Sequence, residues 1–449
     1  MKQPTKPPDH DELLPKLLLD KDKGSTFWRV ANVAPDAAYD HWEKVRFRKP
    51  VPPLTPADMW AAIKLARRSG RKSLPLSDKS GRSFHYVLIS DFLRALHEID
   101  SNARGFIGMP AKAASAEGRD IYLQKSLVEE PFSSSALEGA ATTREVAKKM
   151  IEEGRKPRTL DEKMVINNYR AMSFIREHRD EALISATILE LHRTLTVDTL
   201  ERPEKVGVLR TPDDDVRVVE SVTGETLHMP PPAADLAKRL EALCEFANAP
   251  SNGKDGFLHP VIRAVILHFM LAYDHPFWDG NGRCARALFY WCILRHGYWL
   301  LEYVSISSVI RRAPTKYGKA FLYSESDEGD LTYFIRHQLD VVETALADLQ
   351  KYLADKAREL EKLAQTMGTL ERRLNKRQLP IIQEALKRDT ARYTIAEHAG
   401  LHSVSYLTAR SDLEVLAKIG LLKKTKEGVV SVFLVPRELK ERLKRLGKL

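Results

Sequence analysis

His275-Pro-Phe-Trp-Asp-Gly-Asn-Gly-Arg-Cys-Ala-Arg286 places a titratable base, a carboxylate, two glycines and two arginines within twelve residues. Apolar helical periodicity precedes it over His259–Asp274, and a second helical pattern follows from Gly282 to His296, with Gly297 as a C-terminal stop. The run is therefore read as the loop and first turn of a helix–loop–helix. Gly280 and Gly282 let the main chain approach a ligand closely, and their N–H groups open onto a helix N-terminus, which favours anions.

The side chains around that turn suit a polyphosphate. Arg283 and Arg286 lie three apart on the following helix, so both present forked donors to the same side. Asp279 supplies a hard oxygen of the kind Mg²⁺ accepts beside nucleotide phosphates, and Mg²⁺ keeps most of its waters, so one carboxylate suffices. His275, with an ordinary imidazole pKa of about 6.5, is the natural general base for an attacking hydroxyl. Phe277 reads as an anchor that fixes the loop in the core, while Trp278 is open to either role.

These residues resemble the signature of the Fic family, His-x-Phe-x-Asp/Glu-Gly-Asn-Gly-Arg-x-x-Arg, without departure at any defined position. The resemblance implies transfer of AMP from ATP to a Ser, Thr or Tyr hydroxyl of a target protein, self-modification included, with loss of pyrophosphate. It implies that His275 activates the hydroxyl and that Asp279 holds Mg²⁺. It gives Gly280, Asn281 and Gly282 the α- and β-phosphates, and Arg283 and Arg286 the outer ones. Upstream, Ser134-Ser-Ala-Leu-Glu138-Gly139 resembles the family's inhibitory helix, Ser/Thr-x-x-x-Glu-Gly/Asn, with Ser134 and Glu138 on one face at i and i+4. The implied role of Glu138 is to pair with Arg286 and block the productive pose of the γ-phosphate. In some relatives the same glutamate aligns water to remove AMP. Val216–Glu220 and Glu225–His228 flank Thr223-Gly224 as a hairpin within Gly207–Pro232, matching the flap that docks a target's backbone.

At 449 residues the chain exceeds one ordinary core, and 43% hydrophobic with 29% charged residues exclude wholesale disorder. No window has the roughly 20 apolar residues that span a bilayer, and MKQPTKPPDHDELLPK lacks a secretory core, so a cytoplasmic protein without membrane contact is expected. Cys244, Cys284 and Cys292 lack metal-ligand spacing and read as packing residues. The expected fold is mainly α, with a Fic-type helical domain and β-hairpin flap, a small N-terminal α+β module and a C-terminal winged helix-turn-helix. The boundaries are a polar tail at 1–26, the module at 27–107, a linker at 108–119, the Fic domain at 120–330, a helical arm at 331–371 and the winged helix at 372–449. A strand is expected at Phe84–Ile89, and the arm could bridge domains or pair subunits as a homo-oligomer.

The net charge of +10 is local, since Arg372–Leu449 holds 18 Lys and Arg against 8 Asp and Glu, leaving the rest neutral. The segment resembles a winged helix, with a short helix over Tyr393–Ala399, Ser403–Ile419 as recognition helix and a two-stranded wing at Leu421–Val435. Arg392, Arg410, Lys423, Lys424 and Lys426 are candidate phosphate contacts, and His402 or Tyr406 candidate base contacts. A solvated basic face is the plainer alternative. His192, His228, His259 and His268 read as structural histidines. A second hypothesis follows, a DNA-binding regulator whose Fic domain senses nucleotide, and a third changes the transferred group to phosphate or phosphocholine.

Overall fold

The computed structural model describes all residues except 34–38, 105–125, 221–222, 254–255, 371–373, 388–390, 428–429 and 447–449. The expected linker at 108–119 lies outside the described residues. Two compact units divide the chain, Met1–Gln350 and Lys351–Leu449, and the helix Thr332–Leu370 spans the division. No described helix is long and apolar enough to cross a membrane.

At the centre of the first unit are Pro260–Asp274 and Asn281–Arg295, two helices packed against each other. Both are apolar on nearly every face, as core helices must be. Pro260 opens the first, where its missing N–H costs nothing, and the His259 side chain accepts from the Val261 N–H. His275 ends it in the left-handed region at φ 46°, and Gly280 starts the next helix at φ 83°. Two positive-φ residues five apart turn the chain back on itself and aim the intervening peptides at one point. Helices Glu129–Leu137, Leu160–Glu177 and Ser185–Thr196 surround this pair.

Residues 1–26 depart from a featureless tail. Asp9 caps a helix at His10–Leu19 by accepting from the Asp11 and Glu12 N–H groups, and Leu17 packs in a small core with Phe27, Ala31, Leu54, Ala61 and Ala62. The alternation of Leu13, Leu14 and Leu17 carries the helix, a period hidden in the sequence by flanking charge. The expected strand is found at Ser83–Val87, antiparallel to Arg71–Ser77. It is fastened to the rest of the first unit: the His85 N–H donates to Gly329 O, the Leu331 N–H to His85 O, and Phe84 meets Phe269 and Tyr273 edge-on. Buried Lys64 pairs with Asp327 at 2.7 Å, and the Tyr39 hydroxyl donates to Asp330 at 2.7 Å. The N-terminal residues thus share one unit with the Pro260–Asp274 and Asn281–Arg295 helices.

In the second unit the order is Gln378–Lys387, Arg392–Thr394, Ile395–His402, Tyr406–Lys418 and the hairpin Lys423–Glu427 with Val430–Leu434. The sheet has three strands rather than two, because Arg392–Thr394 pairs with Val430–Leu434. The helix expected from Tyr393 begins instead at Ile395, behind a capping box between Thr394 and Glu397. Likewise Ser403 is a left-handed cap at φ 51° and Ser405 caps the next helix, so the stretch from Ser403 becomes helical only at Tyr406.

Candidate active site

Arg286 organises the site. Its guanidinium is 1% exposed, so burial demands full satisfaction of its donors. Nε donates to Ser134 Oγ at 3.0 Å, and Nη2 to Ser134 O at 3.1 Å and Glu138 Oε1 at 2.8 Å. Glu138 caps the helix Glu129–Leu137, and Gly139 leaves it at φ 96°. Burial alone would raise the Glu138 carboxyl, but Arg286 and then Arg283 outweigh it and hold the group below the usual carboxylate range. The same carboxylate covers Gly282: a Cβ there would lie 2.2 Å from Glu138 Oε1. The motif helix and the glycine turn thus meet face to face.

The motif helix is fixed at its other end by Glu130. This buried carboxylate accepts from Ser305 Oγ at 2.7 Å, Ser307 Oγ at 2.5 Å and the Ser307 N–H at 3.1 Å. Nothing in the sequence marked it, since its partners lie more than 170 positions away.

His275 presents one nitrogen. Its Nδ1 stands 3.1 Å from Ala272 O, an acceptor, so Nδ1 carries the proton and Nε2 keeps its lone pair. Burial pushes the imidazole down to about 4, which keeps it neutral at cellular pH. Arg210 clamps the peptides around it: Nε donates to His275 O at 2.8 Å, Nη2 to Pro231 O at 2.5 Å, and its N–H to Pro276 O at 2.9 Å. The arginine was not singled out in the sequence, where it stands alone before a run of aspartates.

Phe277 is fully buried and stacks on His192, rings 3.7 Å apart and 3° from parallel. The Gly207 N–H donates to His192 Nδ1 at 3.0 Å, so the proton sits on Nε2, which donates to Asp279 O at 2.9 Å. Burial pushes this ring down to about 4 as well. His192 is structural, as its sequence suggested, but it shapes the loop. Asn281 does the same with its side chain, exchanging two bonds with the Phe277 peptide at 2.9 and 2.8 Å. That amide is spent on the loop, which leaves the Asn281 main chain at the helix N-terminus for an anion.

Asp279 is 53% exposed; Oδ1 accepts from the Gly280 N–H at 2.6 Å, and Oδ2 stands 3.4 Å from Arg283. An exposed, loosely paired carboxylate beside a glycine turn at a helix N-terminus fits Mg²⁺. Arg283 is 1% exposed and its Nε has no hydrogen-bond partner among the described residues. A buried unsatisfied donor at an anion cradle is the kind of exception a ligand resolves. Cys284 is buried, which raises its thiol and argues against a nucleophile. The hairpin is shorter than expected, pairing Val218–Val219 with Thr226–His228. A cavity of about 330 Å³ lies between it and Glu138, His275, Gly282, Arg286 and Tyr317.

Residues 182–293 match the profile of the Fic/DOC family. A protein adenylyltransferase Fic of Nematostella vectensis is 25% identical over 247 residues, 54% of this chain and 52% of that protein. One of Drosophila melanogaster is 29% identical over 157 residues, 35% and 30% respectively. The chain thus spans about half the length of these relatives or less. In structure it resembles a Fic family protein from Desulfovibrio desulfuricans G20, with a TM-score of 0.52 and 18% identity over 78% of this chain and 98% of that one, a likeness of fold. The matched profile runs through the helix pair and the turn between them, and this chain carries a domain of the Fic/DOC family.

Proposed function

We propose that the protein is an autoinhibited protein adenylyltransferase that moves AMP from ATP to a hydroxyl of a target protein. The observation that carries this reading is the contact of Glu138 and Ser134 with Arg286 across Gly282, beside an imidazole whose Nδ1 bond to Ala272 O leaves the lone pair on Nε2. His275 Nε2 takes the hydroxyl proton as the oxygen forms its bond to the α-phosphorus. The bond from that phosphorus to the pyrophosphate oxygen breaks, and pyrophosphate leaves. The main-chain N–H groups of Asn281 and Gly282 and the Arg283 fork bear the phosphate charge. Asp279 would hold Mg²⁺, which neutralises phosphate charge when bound.

Glu138 occupies the donors of Arg286 that an outer phosphate needs and adds a like charge beside it. ATP then lies in a pose that keeps its α-phosphorus from the hydroxyl, until the motif helix moves. The relatives' name, protein adenylyltransferase, supports the choice of reaction. Labelled ATP in a cell lysate tests it: Glu138→Gly increases protein labelling, and adding His275→Ala abolishes it. Unchanged labelling in both variants refutes the mechanism.

The basic surplus of the C-terminal residues favours a second reading, DNA binding by a winged helix. Tyr406 and Leu407 are exposed at the start of the candidate recognition helix. Glu414 on that helix, however, pairs with both Arg410 and Lys424. A mobility shift with and without ATP separates a nucleotide-sensing regulator from an enzyme, which shows no sequence preference.

A further inference from the structure

The cavity beside His275 already contains part of the chain. Met1 lines it together with Glu138, Arg286, Leu227 and Phe321. Its thioether sits on Gly318, where an added Cβ would stand 2.6 Å from the Met1 methyl and 2.9 Å from Sδ. Two residues on, Gln3 Nε2 donates to Leu227 O at 2.6 Å and reaches Thr226 O at 3.3 Å, both on the flap strand. The Met1 nitrogen lies 2.8 Å from Glu220 Oε1, on the other arm of the flap. Lys2 between them faces solvent. In, out, in is the alternation of an extended peptide, whose residues i and i+2 share a face.

The segment is delivered by packed structure. Arg46 donates to Thr5 Oγ1 at 2.7 Å, and Asp9 starts the helix whose Leu17 is buried in the N-terminal core. Buried His10 pairs with Glu328 at 3.0 Å. Residues 1–5 are thus tied at both ends, to the N-terminal core and to the flap.

The resemblance assigns the flap to docking of a target segment; from these contacts we infer that residues 1–5 occupy the groove between flap and cavity as an internal competitor of that segment. The groove fits an extended segment that sends an unbranched apolar side chain into the cavity and, two residues later, an amide donor to the carbonyls of Thr226 and Leu227. This block differs from that of Glu138: it excludes the acceptor protein, whereas Glu138 acts on the nucleotide. What is blocked rests on the adenylyltransferase reading. A tethered occupant at an effective concentration of the order of millimolar raises the half-saturating target concentration by 1 plus that concentration over its dissociation constant, so a weak seat of about 0.1–1 mM makes its removal worth roughly 2- to 10-fold.

Two measurements on the full chain test this. The three native cysteines are buried, so spin labels placed through Lys2→Cys and Val219→Cys report the distance from residues 1–5 to the flap. A single narrow distribution is expected, broadening when residues 3–5 are replaced by Gly-Ser-Gly. A broad distribution before that replacement overturns the inference. Second, the Glu138→Gly variant with residues 2–6 deleted labels lysate proteins faster than Glu138→Gly alone at limiting lysate, with an unchanged KM for ATP. Equal labelling overturns the block. If Glu138→Gly transfers no label at all, the adenylyltransferase reading fails, while the distance measurement still decides whether residues 1–5 are seated on the flap.

Discussion

Glu138 reaches Arg286 across the position where Gly282 has no side chain, Oε1 to Nη2 at 2.8 Å. The Glu138 carboxylate therefore fills the volume over the glycine turn, and a ligand that needs Arg286 Nη2 competes with it. The contact is charge-assisted and only partly exposed, so it is stronger than a surface pair yet open to displacement. Replacing Glu138 by Gly should raise AMP transfer about 10- to 100-fold, the equivalent of roughly 1.5–3 kcal/mol. Initial rates with α-labelled ATP measure it, and an unchanged rate contradicts the blocking role.

Ser134 holds Arg286 less firmly. Its hydroxyl accepts from Nε, but its carbonyl, which also accepts, survives substitution. Ser134→Ala should activate only a few-fold, in keeping with about 1 kcal/mol for one hydrogen bond. A larger gain than from Glu138→Gly reverses the assigned order.

Glu130 ties the motif helix to Ser305 and Ser307, so the helix should loosen without it. Glu130→Ala leaves those buried donors unsatisfied at a cost of about 1–3 kcal/mol each. A lower Tm together with a raised basal rate is expected. Thermal melts and rate assays on one preparation check both, and a lower Tm with no activation restricts Glu130 to folding.

His192→Phe keeps the stack on Phe277 but deprives the Gly207 N–H and the Asp279 carbonyl of their partner. A fall in kcat with a lower Tm is expected from the Glu138→Gly background, because the turn loses its brace while His275 is untouched. Asparagine at the same position, which restores a donor and an acceptor, should recover part of the loss. Full activity of His192→Phe removes it from the site's support.

Acid should weaken the fold before it stops the chemistry. Burial holds His41, His192, His275 and His337 each down to about 4 in the folded state, against about 6.5 unfolded. Between those values the unfolded chain binds more protons, so stability is full above about pH 6.5 and is lost as pH falls toward 4. Asp274, which burial pushes up to about 6, acts in the opposite sense, losing stabilisation as pH rises through its window. His268, His85 and His259 are lowered by burial too, whereas only Glu130 and Asp340 join Asp274 among the raised carboxyls of the described residues, so the histidines set the net direction. The neutral fraction of His275 stays high throughout, so kcat of Glu138→Gly should be flat from pH 8 to about 5.5. A rate falling through pH 6.5 instead marks an ordinary, solvated imidazole.

The turn at His275–Arg286 was legible because its chemistry is contiguous: base, carboxylate, glycines and arginines follow one another, and spacing alone puts them on one loop. Glu138 was legible only beside that turn, since five residues with a serine and a glutamate are common on solvated helices. Glu130, Arg210 and His192 escaped notice because each acts on a partner far along the chain through main-chain atoms, which leave no mark in residue type. The strand at Arg392–Thr394 was missed because three residues before a helix cap carry no period of their own; pairing with Val430–Leu434 makes them a strand. Residues 1–5 were hidden for the same reason, their order being set by Arg46, Thr226 and Leu227.

Calorimetric titration of Mg·ATP into the Glu138→Gly variant tests the central claim most directly, because it asks only whether the turn is a phosphate nest once its carboxylate cover is gone. Binding of one nucleotide per chain, abolished by adding Arg283→Ala, is the predicted result. Absence of any uptake by a folded Glu138→Gly protein would contradict it.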